Sequence, residues 1–485
     1  MVQNLEQLQN ELNAAIALHQ TGRVVDAEAG YRKLLQKAPD LPVVHNNLGL
    51  VLQAQKRMDE ALTHLHRAIE LDANYVDAHS NLGNALRHAG QYDEAVASFE
   101  HALTLNPNFI QALGNLGNTY LDMGRLEDSE DAYRRALKVI PEQPDLFYSL
   151  GRVLYEQARW DDAEAAFRKT LSINNGYPLA HWNLSHVMLL QGRFREAWLE
   201  YEWRWHCPGF TTKVPKFDRP QWDGKDIQGK TILVFAEQGF GDTIQFVRYL
   251  PLIAAAGGTV IFLCQPELQR LMAGVDGIAH LVSDWTDLPP FDLQCPLMTL
   301  PMVMESRTEA DLPSTVPYIT APAGGTDPVG DDDAFKIGLV WAGRESHLAE
   351  AQRSLDVSAL EPLLDVSGCH FYALQAGERG AELAAAGLAG KVSDLGAGLS
   401  DFADTASIIQ SLDLVIGVDT AVVHLAGALN KPVWTMLPRI PDWRWMLDRE
   451  DSPWYASMRL FRQSERGDWV GVVHDVAAAL KAQVA

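Results

Sequence analysis

Cysteine is scarce in this chain. Its 485 residues hold four, Cys207, Cys264, Cys295 and Cys369, each far from the next. That spacing excludes a disulfide framework and a close-set thiolate metal site, and it fits a reducing compartment. Basic residues are outnumbered, 40 against 63 acidic, for a formal charge of −23. A general affinity for nucleic acid or anionic lipid is therefore not expected. No apolar run reaches the length of about 18 residues that a membrane span needs. The first residues, MVQNLEQLQNEL, are amphipathic and polar and lack a signal-peptide core. These absences lead to the expectation of a cytoplasmic protein with no membrane span and no nucleic-acid partner. What is present is ample apolar content, 47%, and a length that suits two or three domains.

A period of 34 residues runs through the first two hundred. Asn-Leu-Gly stands at 47–49, 81–83 and 115–117, and Ser149-Leu150-Gly151 and Asn183-Leu184-Ser185 continue the step. A small-residue series keeps the same step: Ala27, Ala61, Ala95, Ser129, Ala163, Ala197. So does a large one: Tyr31, Leu65, Phe99, Tyr133, Phe167, Tyr201. Pro39, Pro107 and Pro141 hold a fourth register. Small residues let two helices cross closely, large ones fill the space between, and proline ends the second helix. The pattern resembles the tetratricopeptide repeat. Six units fit, from about 8–41 to 178–211, with degenerate first and last members, as is usual at solenoid ends.

The resemblance implies a superhelix whose concave face takes a peptide or protein. Asn47, Asn81, Asn115 and Asn183 recur in step, with Ser149 interrupting them. An amide offers both donor and acceptor, so a ladder of amides can hold an extended backbone without reading its sequence. The series is similar to the asparagine ladder in the repeats of the O-linked N-acetylglucosamine transferases. The alternative is that these amides bond neighbouring helices within the repeats.

Past the repeats, residues 207–230 are rich in Pro, Gly, Trp and Lys and read as an irregular connector packed on the next domain. From Thr231 strands and helices alternate, which predicts parallel sheets with crossover helices. Strands are expected at Thr231–Ala236, Thr259–Leu263, Ala279–Val282 and Phe291–Gln294. After a hinge they resume at Lys336–Trp341, Phe371–Leu374, Val392–Leu395, Leu414–Ile416 and Val433–Met436. A helix is expected over Thr243–Ala256 and another from Thr420. Two such lobes leave a cleft at the carboxyl ends of both sheets.

Four turns could carry chemistry. Gly239-Phe240-Gly241-Asp242 comes after the first strand; its glycines allow a tight turn and close approach to a ligand, and Asp242 is either a helix cap or a functional carboxylate. The turn lacks the third glycine of a dinucleotide fingerprint, which argues against a nicotinamide enzyme. Trp341-Ala342-Gly343-Arg344 ends a strand of the second lobe, and Arg353 beyond it is either a bidentate diphosphate ligand or a surface ion-pair residue. Gln375 ends the next strand. Gly417-Val418-Asp419-Thr420-Ala421 opens a helix whose bare N-terminus suits phosphate, or which Asp419 or Thr420 simply caps. His424 lies one turn in, structural or functional. Asp442, Trp443, Arg444 and Trp445 crowd one segment, and Asp442, Trp443 and Trp445 line a pocket or merely close the domain.

The Gly239–Asp242 turn, the glycine-ended strand from Lys336 and the Asp419–His424 element together resemble the bacterial ADP-heptose:lipopolysaccharide heptosyltransferases, over roughly residues 230–485. The whole chain resembles bacterial tetratricopeptide-repeat glycosyltransferases. The resemblance implies an all-α solenoid followed by a two-lobed α/β domain of the glycosyltransferase-B type, with two Rossmann-like lobes. The expected organisation is 1–211 repeats, 212–230 connector, 231–322 acceptor-side lobe, 323–335 hinge and 336–485 nucleotide-sugar lobe.

The resemblance further implies Asp242 as the catalytic base, and Gly239, Gly241, Gly343, Arg353, Gln375, Asp419, Thr420, Ala421 and His424 around a nucleoside-diphosphate sugar. No metal and no cofactor are expected beyond that donor substrate, and inversion is implied. The first lobe is short, which weakens lipopolysaccharide as acceptor, and the repeats favour a polypeptide. The expected function is sugar transfer to a protein side chain held by the repeats. The alternatives are a glycan or lipid-linked acceptor with the repeats as scaffold, and an inactive adaptor.

Overall fold

The structure is a computed structural model that describes residues 2–210, 212, 216–237, 239–322, 328–330, 333–343 and 353–485. Arg344 and much of the expected hinge lie outside the described residues.

The period builds helix pairs. They are α1 (Val2–Gln20) with α2 (Val24–Lys37), α3 (Pro42–Ala54) with α4 (Met58–Leu71), α5 (Val76–His88) with α6 (Tyr92–Leu105), α7 (Ile110–Asp122) with α8 (Leu126–Val139), α9 (Pro144–Glu156) with α10 (Trp160–Ile173), and α11 (Pro178–Leu190) with α12 (Phe194–Tyr201). Pro39, Pro107 and Pro141 each fall two residues past a second helix, where a ring that cannot continue the helix does no harm. The repeated glycine is needed for contact. A Cβ on Gly83 would fall 2.8 Å from the Phe99 ring, and one on Gly117 would fall 2.8 Å from Tyr133. Both aromatic rings are buried. Ser129 replaces alanine in the small series without leaving an orphan, because its hydroxyl donates to Gly117 O at 2.7 Å.

The chain divides into two compact units, Met1–Ala180 and His181–Ala485. The division falls inside the sixth helix pair, ahead of the residue 211 read from the period. The reason is aromatic packing within the second unit. In α12, Trp198 Nε1 donates to Ser306 O at 2.9 Å. Its ring meets Trp443 edge-on at 5.5 Å, and Phe194 meets Trp454 at 6.3 Å.

The second unit holds two parallel sheets. The first has the order β3-β2-β1-β4, from β1 (Thr231–Phe235), β2 (Thr259–Leu263), β3 (Ile278–Val282) and β4 (Leu293–Pro296). The second has the order β10-β9-β8-β5-β6-β7, from β5 (Phe335–Val340), β6 (Cys369–Ala373), β7 (Val392–Asp394), β8 (Leu414–Val418), β9 (Val433–Leu437) and β10 (Met458–Arg462). This is the two-lobed α/β architecture expected. β10 has no counterpart among the expected strands: its charged Arg459 and Arg462 hide it in the sequence, but it pairs with β9 along five residues. The helix expected over Thr243–Ala256 is broken into Phe240–Phe246, Val247–Tyr249 and Leu250–Ala255. Pro251, which has no N–H to donate, restarts the last piece. Among the described residues no helix is long and apolar enough to cross a membrane.

The connector packs as its aromatics suggest. Trp222 is buried, its Nε1 donates to Lys225 O at 2.8 Å, and Phe217 meets Phe235, Trp285 and Phe291. Arg204, just before it, is fully buried. It donates to Glu237 through Nε at 2.7 Å and Nη2 at 2.9 Å, and to Thr299 at 2.9 Å.

Candidate functional site

Each sheet reverses its winding at one place. In the first sheet this lies between β1 and β4; in the second it lies between β5 and β8. Ligands of open α/β sheets bind outside the strand carboxyl ends at such points. The Gly239–Asp242 turn comes after β1, and the Asp419–Thr420 turn comes after β8. The fold therefore puts both sequence-read turns at the winding reversals, outside the strand carboxyl ends.

On the first side, Gly239 opens the Phe240–Phe246 helix, and Asp242 Oδ2 accepts from Gly239 N–H at 2.8 Å. Asp242 is thus a helix-capping carboxylate. Its other oxygen, Oδ1, accepts from Arg444 Nη2. Arg444 also donates to Asp442 Oδ1 at 2.8 Å and to Gln245 Oε1 at 2.7 Å, and lies 4.2 Å over the Trp443 ring. Burial alone would lower the Arg444 guanidinium; the charges of Asp442 and Asp242 outweigh it and raise the group above its ordinary value.

On the second side, Thr420 is the extended N-cap of the Ala421–Ala428 helix, but its side chain makes no capping bond. Its hydroxyl is buried and has no hydrogen-bond partner among the described residues. Asp419 does not cap either; its Oδ1 faces His424 Nε2 at 3.6 Å. Burial pushes the Asp419 carboxyl up. His424 more than offsets that, with lesser help from the nearby Trp445 indole and the Arg353 charge, and holds it at about 2. Arg353 is thereby placed within electrostatic reach of the turn. His424 is itself pinned: Nδ1 pairs with Tyr455 OH at 2.9 Å and the ring stacks on Trp445 at 5.0 Å.

The two sides touch. A Cβ on Gly241 would lie 3.0 Å from His424 Cδ2 and 3.7 Å from Ala421 Cα. Phe240 meets Phe402 at 5.0 Å beside this contact. Gly241 is therefore the residue that lets one turn approach the other.

The remaining expected residues sort differently. Gln375 is buried and spends its Oε1 on the backbone N–H groups of Trp341 and Ala342, at 3.3 and 3.0 Å, so it shapes the end of β5. Gly343 N–H donates to Ser354 Oγ at 3.1 Å. Trp443 and Trp445 are buried, so they do not line an open pocket; Trp443 packs on Trp198, Tyr201 and Trp454, and Trp445 backs His424. Asp442 caps the Trp443–Trp445 turn and holds Arg444.

In the first unit, Asn81 Nδ2 donates to Asn46 Oδ1 at 2.8 Å, and Asn46 Nδ2 to Asn47 Oδ1 at 3.2 Å. Part of the ladder is thus used between adjacent repeats. Asn115 is half-buried and makes no side-chain hydrogen bond among the described residues; Asn183 is half-buried in the second unit. Sequence reasoning missed Gln245 and Tyr455 and gave Arg444 no role. The one signal for Arg444 was a charge set between two tryptophans, which must be partnered if they are buried.

The chain carries tetratricopeptide repeats and, in its second unit, a stretch similar to heptosyltransferases. Tetratricopeptide models match residues 40–108, 76–142, 115–178 and 178–197. The model described as glycosyltransferase family 9 (heptosyltransferase) matches residues 371–441, which include Asp419, Thr420 and His424. Protein FlbA of Caulobacter vibrioides is 28% identical over 327 residues, covering 59% of this chain and 52% of that protein. The chain thus spans about half the length of that relative. Among solved structures, MamA is 22% identical with a TM-score of 0.31, over 33% of this chain and 94% of its own. Pseudomonas aeruginosa pilF is 20% identical with a TM-score of 0.36, over 41% and 90%.

Proposed function

We propose that the chain transfers a sugar from a nucleoside-diphosphate donor to a hydroxyl of a polypeptide held by its repeats, without a metal and with inversion. The observation that carries this reading is the pair of switch-point turns in contact, with an unpartnered Thr420 hydroxyl at a helix N-terminus. Unpaired N–H groups and the dipole there favour a diphosphate. Arg353 adds a charge that stays on. Asp242 takes the proton of the acceptor hydroxyl, the freed oxygen bonds to the anomeric carbon, and the bond from that carbon to the diphosphate oxygen breaks. Gly239 N–H and Arg444 occupy one lone pair on each Asp242 oxygen, and the second pair of each remains for a hydroxyl. The repeats support a polypeptide acceptor, and half-buried Asn115 supplies a free amide for it.

Calorimetry with UDP, GDP and ADP tests the donor half. Binding that Asp419→Ala or Arg353→Ala weakens at least tenfold is expected; no binding of any of the three sinks the reading and favours an adaptor. Asp242→Asn should abolish transfer and leave donor affinity unchanged. Replacing Asn81 and Asn115 together should raise the acceptor KM, and an unchanged KM would turn the reading toward a glycan acceptor with the repeats as scaffold.

A further inference from the structure

Asp242 reaches across to a residue that no motif assigned. Arg444 sits in the second lobe, 202 residues further on. Each end of its guanidinium is committed. Nε and Nη2 serve Gln245 and Asp242, both on the first-lobe helix Phe240–Phe246; Nη1 serves Asp442 on its own segment. The flat face lies on Trp443. Trp443 in turn is wedged against Trp198 and Tyr201 of α12, the last repeat helix. The buried Gln245 carries a second sign of the same design. Its Oε1 takes Arg444, and its Nε2 has no hydrogen-bond partner among the described residues.

We infer that Arg444 is the positioning residue for Asp242, braced through Trp443 by the last repeat helix, so that the carboxylate is held in place only while the two lobes meet. A planar fork suits this task, because one rigid group satisfies three acceptors from two lobes at once. A lysine, a single point charge, can meet Asp242 but not all three. Gly239 N–H alone leaves the Asp242 carboxylate free to turn about its remaining torsion. Arg444 removes that freedom and fixes which lone pairs face outward. The structural inference stands on these contacts; its catalytic consequence rests on the reading of Asp242 as the base.

Hydrogen exchange followed by mass spectrometry on the full chain tests it without any substrate. In Arg444→Gln, amides of residues 239–246 should exchange at least tenfold faster than in the wild type, while β2 (Thr259–Leu263) stays unchanged. Arg444→Lys retains the charge but meets Asp242 alone, so it should bring back only part of that protection. Asp242→Asn should loosen the same segment, and Asp242→Asn with Arg444→Gln should loosen it by much less than the product of the two single effects, the Gln245 contact being all that is left to lose. The double variant leaves no uncompensated Asp242 carboxylate, so it also serves if Arg444→Gln alone fails to fold. Unchanged exchange over 239–246 in Arg444→Gln overturns the inference, as do independent, multiplying effects in the double variant. With a donor in hand, Arg444→Gln should lower kcat at least tenfold at an unchanged donor Kd. Absence of nucleotide binding in the wild type would remove the proposed function and leave the exchange result standing.

Discussion

Gly241→Ala adds one methyl group where a helix of one lobe packs on a helix of the other. Its Cβ would stand 3.0 Å from His424 Cδ2, against the 3.4 Å at which ordinary contact begins, so about 0.4 Å must be found. His424 cannot supply it. It is buried, tied to Tyr455 OH at 2.9 Å and stacked on Trp445. Overpacking of this kind costs about 1–3 kcal/mol. Alanine returns up to about 1 kcal/mol through its better helix propensity. The net is a loss of up to about 3 kcal/mol, which for a unit of this size lowers its melting transition by up to about 5 °C. Gly239→Ala is the control. Its Cβ meets only Asp242 Oδ2, at 3.4 Å, and its φ of −72° suits any residue, so its transition should stay within about 1–2 °C of the wild type. Scanning calorimetry of the full chain measures both. A Gly241→Ala transition at or above the wild type, or equal losses in the two variants, refutes the close approach of the turns.

Three further outcomes are expected. Thr420→Val removes a buried hydroxyl that has no partner, so stability should hold or rise slightly while affinity for a nucleoside diphosphate falls at least fivefold; a parallel loss of both would assign the hydroxyl to the fold. Trp198→Ala should destabilise the second unit by about 3–5 kcal/mol in urea unfolding, because it empties a buried site that packs on Trp443, Tyr201 and Phe246. Asp419 is held at about 2 in the folded chain against an ordinary 3.8. A depressed carboxyl contributes stability that is complete above the unfolded value and lost as pH falls through the folded one. The wild-type advantage over Asp419→Asn should therefore shrink as pH falls from about 4 to 2, read as urea midpoints; an advantage independent of pH in that window contradicts the depressed carboxyl.

Much of the fold was legible because it is written locally. A 34-residue step fixes helix, turn and helix within each repeat, and Gly83 against Phe99 is a contact only 16 positions apart. Strand–helix alternation exposed nine of the ten strands among the described residues, most of them short runs rich in apolar residues. β10 escaped because an edge strand with arginines alternates in polarity and so looks like surface. The Asp419–His424 turn was readable as a helix start, yet which residue caps it was not; neither Asp419 nor Thr420 does.

The sequence by itself determined the elements, their order and the two glycine turns, because backbone propensity and periodicity depend on near neighbours. Only the tertiary structure decided what those turns face. It set Gly241 on His424, tied Asp242 to an arginine from the other lobe, buried Trp443 and Trp445, which had read as pocket walls or as a closure of the domain, and drew the last repeat helix into the second unit. Such contacts join residues up to two hundred positions apart. No local pattern encodes them. They are chosen by which buried charges find partners and which aromatic faces leave water together once both sheets have formed.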